Sequence, residues 1–173
     1  MVRVIAGGAF IVLLVLVATW QIQKDTRKAY PTEDFGVTFT YPKDYLFEER
    51  ELSDGRVLTL IENTPDNETT TTPREGPVSM TIARHRNPEK LGLHEWIRSR
   101  QESNFHLSNG MLVPTTIGGE NALMYTWSGL YQGESVVSEK DDSIFMFSVT
   151  YLLPQDAIRA DFQKMLDSVE FEL

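Results

Sequence analysis

The stretch SIFMFSVTY, residues 143–151, carries the pattern that decides the fold. Ile144 and Met146 alternate with Phe145 and Phe147, which is the two-residue period of a β-strand. One face of this strand is entirely aromatic or aliphatic and the other is mostly apolar, a pattern typical of a strand covered on both sides. The sequence therefore predicts a central strand with a layer of structure on each side of its sheet.

Two amphipathic helices provide candidates for those layers. After the central strand, one apolar stripe recurs at helical spacing, and its members are Ile158, Phe162, Met165, Leu166 and Val169. Within residues 87–103, Leu93, Trp96 and Ile97 recur in the same way between charged residues. Both stripes are interpreted as core contacts rather than as cofactor sites.

Most of the remaining chain is predicted to form strands joined by turns. The predicted strand segments are 56–62, 78–85 and three glycine-punctuated stretches between 112 and 140. In FGVTFTYPKDYLFEE, residues 35–49, Val37, Phe39 and Tyr41 alternate, and Pro42 is placed to begin a turn. This segment predicts a hairpin whose aromatic residues seal the edge of a core.

Composition and charge restrict the possible functions. The chain has 173 residues, 41% of them hydrophobic, and no cysteine, which fits one domain and excludes thiol catalysis and a thiolate zinc site. From Tyr30 onward it carries 24 acidic and 12 basic residues, so it repels phosphate backbones. The sequence therefore argues against nucleic acid as a partner and favours a cationic protein surface or metal ions.

The first residues predict a membrane anchor. Residues 4–20 form an uncharged apolar run of about 26 Å as a helix, enough to span the hydrocarbon of a bilayer. A cleaved signal peptide is the alternative, although small residues for cleavage are poorly placed. The basic residues that flank the run leave its orientation undecided. We therefore expect a transmembrane segment at 1–22, a juxtamembrane linker at 23–34 and a domain at 35–173.

Three histidines and one pair of aspartates are the candidate metal ligands in the sequence. His85, His94 and His106 lack the spacing that places two imidazoles on one helical face, and each is predicted to be an ordinary surface histidine. A site that combines His85, His106 and a carboxylate in space remains open. Asp141 and Asp142 are weak metal candidates, because their segment lacks the oxygen-ligand spacing of a calcium loop.

Catalytic signatures are weak throughout the sequence. Ser128, in TWSGL, lacks the flanking pattern of a nucleophilic serine turn, and no glycine-rich phosphate loop follows a predicted strand. We therefore predict no catalytic residue, no cofactor and no committed metal site.

Several segments resemble one group of proteins. FGVTFTYPKDY, VSMTIARHRNPEKLGLHEWIRSRQ, IGGENALMYTW and the last 33 residues are similar to the PsbP-like and Mog1-like proteins, and the likeness covers nearly all of 35–173. Two departures are Tyr45, where Trp is more usual, and the long threonine-rich loop at 63–77. The resemblance implies an α+β fold, an antiparallel sheet flanked by helices in an α/β/α sandwich.

The same resemblance implies function by binding rather than by catalysis, in proteins that are most often secreted or membrane-anchored in bacteria. We therefore expect a membrane-anchored, extracytoplasmic binding or accessory module with the lipid bilayer and a protein as partners. A structural subunit of a larger membrane complex is the alternative, and an extracytoplasmic hydrolase is the third hypothesis.

Overall fold

The structure, a computed structural model, describes residues 27–30, 35–63 and 76–172. Two short 3₁₀ turns, Gln101–Ser103 and Phe105–Leu107, follow the first described helix. The helices and strands are β1 (Arg27–Ala29), β2 (Val37–Thr38), β3 (Thr40–Pro42), β4 (Tyr45–Leu52), β5 (Gly55–Glu62), β6 (Met80–Arg86), α1 (Leu93–Ser99), β7 (Val113–Ile117), β8 (Glu120–Ser128), β9 (Gln132–Lys140), β10 (Ser143–Tyr151), α2 (Ala157–Leu166) and β11 (Glu170–Phe171).

Seven strands form one antiparallel sheet in the order β4-β5-β6-β10-β9-β8-β7. Most neighbours are joined by tight turns, as at Gly118 and Gly119, where positive φ angles of 54° and 83° suit residues without a Cβ. Two pairings are exceptions: residues 63–79 separate β5 from β6, and the pairing of β10 with β6 joins distant parts of the chain. β10 lies in the middle of the sheet, as its two apolar faces predicted.

One side of this sheet, the α2 side, is covered by α2 and by two small sheets, β1-β3 and β2-β11. The predicted helical stripe is buried there, with Val169 just beyond the helix end. The sheet residues that meet it include Leu58, Leu60, Ile82, Phe145, Phe147 and Val149.

On the other side, the α1 side, the described residues cover only part of the sheet. Trp96 and Ile97 of α1, with Phe105 of the second 3₁₀ turn, pack on sheet residues that include Leu123, Tyr125, Val137, Ile144 and Met146. Helices therefore lie on both sides of the sheet, which confirms the predicted α+β fold.

The hairpin predicted at residues 35–49 is wrong, although its burial pattern is confirmed. Val37, Phe39 and Tyr41 are all buried. However, β3 pairs with β1 rather than with β4. The reason is that β4 turns back through two residues to pair with β5, which leaves β3 in the layer over the α2 side.

Residues Arg27–Ala29, within the predicted linker, pair with Thr40–Pro42 and so belong to the fold. Tyr30 is buried, and its ring stacks on that of Phe39 with centroids 5.1 Å apart. The fold therefore includes residues 27–30, upstream of the predicted boundary at Phe35.

The predicted transmembrane segment, residues 1–22, lies outside the described residues. Among the helices of 27–30, 35–63 and 76–172, none has the length and apolar character needed to cross a bilayer.

Candidate binding surface

His85 is buried, with 1% of its surface exposed, so its assignment as a surface histidine is wrong. It lies on β6 on the same side as Ala83, under α1, and its ring is 5.2 Å from that of Trp96. Its Nδ1 is 3.1 Å from Oδ2 of Asp54, in the turn between β4 and β5. The two-residue period of β6 places His85 on the face of Ser79, Thr81 and Ala83, a mostly polar set, so periodicity contains no signal for its burial.

The imidazole of this His85–Asp54 pair lies in the interior of the fold. Neither Nε2 of His85 nor Nε1 of Trp96 has a hydrogen-bond partner among the described residues. The ring of Trp96 lies against the imidazole. The pair connects the β4–β5 turn to β6.

The other predicted candidates are dispersed over the surface. His94 and His106 are exposed, as predicted, and His106 follows α1 on a separate turn. Asp141 and Asp142 are exposed in the β9–β10 turn, where Asp142 lies 3.4 Å from Nζ of Lys90. Within the described ranges, no three His, Asp or Glu side chains are grouped as metal ligands.

Ser128 occupies the exposed end of β8. Its hydroxyl accepts a hydrogen bond of 3.0 Å from Nε2 of Gln132. This hydrogen bond stays within one hairpin, because Gln132 begins β9.

The uncovered part of the α1 side lies at β4 and β5. Leu46 pairs with Ile61 on this side, and 56% of the Leu46 surface is exposed. A partly open cavity of about 380 Å³ occurs here, within the size range of small ligand sites. The residues that line it are Leu46, Phe47, Glu48, Ile61, Glu62, Asn63 and Pro77.

The outer edge of β4 is the second open feature, since no described strand pairs with it. Two observations identify the residues of the hairpin that bond to each other. Leu52 and Gly55 flank a two-residue turn, and at the other end the amide of Asn63 donates to the carbonyl of Asp44 over 2.8 Å. Antiparallel strands alternate between residues that bond inward and residues that do not. The N–H and C=O groups of Phe47 and Glu49 therefore point outward, away from β5.

Charge on this hairpin is predominantly acidic, with six acidic and three basic residues in 43–62. Arg56 binds Glu49 at 2.5 Å and Glu51 at 2.8 Å, so part of this charge is neutralised. Glu48 is exposed beside Leu46 and forms no ion pair with a described side chain. We call the cavity, the outer edge of β4 and these carboxylates the β4–β5 surface.

The start of β4 is held firmly on the other side of the sheet. Tyr45 is buried, and its hydroxyl is 3.5 Å from Oδ2 of Asp161 on α2. Burial, together with the negative charge of Asp161, raises the pKa of Tyr45 above its ordinary value. The β4–β5 surface is therefore presented by a strand that is fixed at one end by the core.

No protein-family model matches this sequence, and no curated protein sequence is significantly similar to it. The solution structure of cyanobacterial PsbP (CyanoP) from Synechocystis sp. PCC 6803 is similar in fold, with a TM-score of 0.53 and 9% identity over 85% of this chain and 93% of that one. A crystal structure from Bacteroides thetaiotaomicron has a TM-score of 0.46 and 11% identity, over 86% of this chain and 48% of that one. The chain therefore has a PsbP-like α+β fold, as the resemblance in its sequence indicated.

Proposed function

We propose that this protein is a non-enzymatic binding module that holds a protein partner on the β4–β5 surface. The observation that carries the proposal is the coincidence of three features at one place. An apolar cavity, an open strand edge and a predominantly acidic hairpin adjoin one another. Open edges and exposed apolar residues are the features that proteins use to bind other proteins.

The polar groups of the described residues support binding rather than catalysis. The cavity is built on Leu46 and Ile61, and Glu48 is the acidic side chain that shares their side of the sheet. Elsewhere, the hydroxyls of Ser135 and Ser148 are buried 2.8 Å apart and satisfy one another. General acid–base chemistry needs convergent polar groups at an accessible cavity, which this arrangement does not provide.

We propose further that the N-terminal apolar run tethers the domain to a membrane, with the domain on the extracytoplasmic side. The run of residues 4–20 supports the tether, and the resemblance to PsbP-like proteins supports the side. Tyr30, directly after β1, meets Phe47 of β4 edge-on, with ring centroids 6.1 Å apart. A tether that joins the fold at β1 would therefore hold the β4–β5 surface near the membrane.

Site-specific photocrosslinking in cells tests the binding surface. A photoreactive residue replaces Phe47 on β4, and the matched control replaces Val113 on β7, at the opposite edge of the sheet. Both side chains are exposed, so both variants should fold. We expect a discrete protein adduct from position 47 and none from position 113. An adduct at position 113 alone would show that the partner uses another surface.

Protease treatment of intact cells tests the placement. We expect a C-terminal tag on the full-length protein to be cleaved from outside the cytoplasmic membrane. A protected tag, in cells whose known external domains are digested, would place the domain in the cytoplasm and contradict this part of the proposal.

A further inference from the structure

We propose that the partner contributes an extended, cationic segment that adds to β4 as an antiparallel strand. In this segment, basic residues come first and apolar residues follow. The inference rests on the proposed function, and it names the chemistry of the partner that the β4–β5 surface would recognise.

The first step concerns the backbone of β4. The outward N–H and C=O groups of Phe47 and Glu49, and by the same alternation those of Glu51, form a row along the free edge. A strand added to such an edge satisfies these groups with its own backbone, while side-chain neighbours select its sequence. The edge is eight residues long, which suffices for a full added strand.

The second step concerns the order of side chains along β4. Its first half exposes apolar groups, because 56% of Leu46 and 51% of Phe47 is accessible. Its second half carries Glu48, Glu49 and Glu51, with Arg50 among them. An antiparallel segment would meet the acidic half first and the apolar half afterwards, which sets the order of basic before apolar residues.

The third step concerns the cavity. Leu46 and Ile61 face the same side of the sheet, and the cavity of about 380 Å³ lies against them. An added strand places alternate side chains on this side. An apolar residue in the second half of the segment can therefore enter the cavity, while a basic residue nearby lies within reach of Glu48.

Self-association through β4 fits the charges less well. If two copies paired about a centre at Glu48 or Glu49, carboxylates would face their own copies or one another. Like charges opposite one another destabilise a strand pair. The alternative role of these carboxylates is to prevent any strand from pairing with the edge, as charged residues do on many edge strands. The experiment therefore has to distinguish strand addition from a protected edge that binds nothing.

The test uses full-length protein in nanodiscs and two synthetic peptides. One peptide has four Lys or Arg residues followed by Val, Phe and Val, and the other has the same residues in reverse order. Fluorescence anisotropy measures binding, and hydrogen exchange locates it. We expect the first peptide to bind about tenfold more tightly than the reversed one, and to protect the outward amides of Phe47, Glu49 and Glu51.

Two variants of Glu49 separate strand addition from charge attraction. Glu49→Pro removes an outward N–H without breaking a bond to β5, and Glu49→Ala removes the same carboxylate but keeps that N–H. We expect Glu49→Pro to weaken binding about tenfold and Glu49→Ala by less than about threefold. If Glu49→Pro does not fold, Glu51→Pro provides the same comparison against Glu51→Ala.

The outcomes distinguish this inference from the proposed function. Strand addition would be overturned by any of three results. The two peptides bind equally well, the proline and alanine variants have equal effects, or neither peptide binds. If the crosslink at position 47 still forms in that case, the binding module stands and only its partner chemistry is wrong. If the peptide binds as expected but position 47 gives no cellular adduct, the edge chemistry is supported and the proposed cellular function fails.

Discussion

At the scale of single residues, Phe39 and Phe47 differ in burial although they belong to one aromatic cluster. Phe39 is 1% exposed and stacks on Tyr30, whereas Phe47 is half exposed and meets Tyr30 edge-on. We predict that Phe39→Ala lowers the free energy of unfolding by about 3–5 kcal/mol, because it opens a cavity in the core. Urea unfolding, followed by tryptophan fluorescence, measures the change.

Phe47→Ala is the matched control, because it removes the same ring from a half-exposed position. We expect it to lower the free energy of unfolding by about 1 kcal/mol. A loss of less than about 1 kcal/mol for Phe39→Ala would contradict its role as a core residue.

At the scale of elements, Tyr125 joins β8 to the 3₁₀ turns that follow α1. Its hydroxyl donates to the carbonyl of Ser103 over 2.6 Å, and its ring meets that of Phe105 edge-on. Burial raises the pKa of Tyr125 to about 12, above the value near 10 of an exposed tyrosine. The folded state therefore favours the neutral phenol more strongly than the unfolded state does.

This shift predicts how stability depends on pH. The contribution of Tyr125 is fully present below about pH 10 and is lost as the pH rises through about 12, because the unfolded chain ionises first. We expect the free energy of unfolding to fall faster in the wild type than in Tyr125→Phe, by about 1.4 kcal/mol per pH unit in this range. Paired urea titrations between pH 9 and 11.5 measure the difference. A difference that does not change with pH would contradict the assignment.

The elements also show how far the sequence can be interpreted. Local periodicity predicted β10, α1 and the stripe of α2, because each pattern lies within a few turns or residues of chain. It did not predict that β3 pairs with β1, or that no described strand pairs with the outer edge of β4. Strand pairing depends on which distant segments compete for the same hydrogen bonds, and periodicity contains no information about that competition.

The candidate site was less predictable than the fold for the same reason. Leu46 and Phe47 follow the alternation of any strand, and only the position of β4 at the end of the sheet leaves them exposed. The burial of His85 was missed because the period of β6 places it on the face opposite Met80 and Ile82, and α1, which covers that face, is a separate element. The distance that joins it to Asp54 could be seen only in the structure.

At the scale of the whole molecule, the last prediction concerns where the domain begins. Arg27 donates from Nε to Oγ1 of Thr40 over 3.1 Å and from Nη2 to the Thr40 carbonyl over 2.6 Å. The amide of Tyr30 donates to the carbonyl of Phe39 over 2.9 Å. A chain that begins at Phe35 loses all of these bonds and uncovers Phe39, whereas a chain that begins at Arg27 keeps them.

We predict that the free energy of unfolding of the shorter chain is about 3 kcal/mol lower than that of the longer chain. This difference is comparable to the loss of a buried aromatic side chain. Urea unfolding of the two chains measures this difference, and Tyr30→Ala in the longer chain should reproduce most of it. Equal midpoints would show that residues 27–30 are a linker, as the sequence alone had indicated.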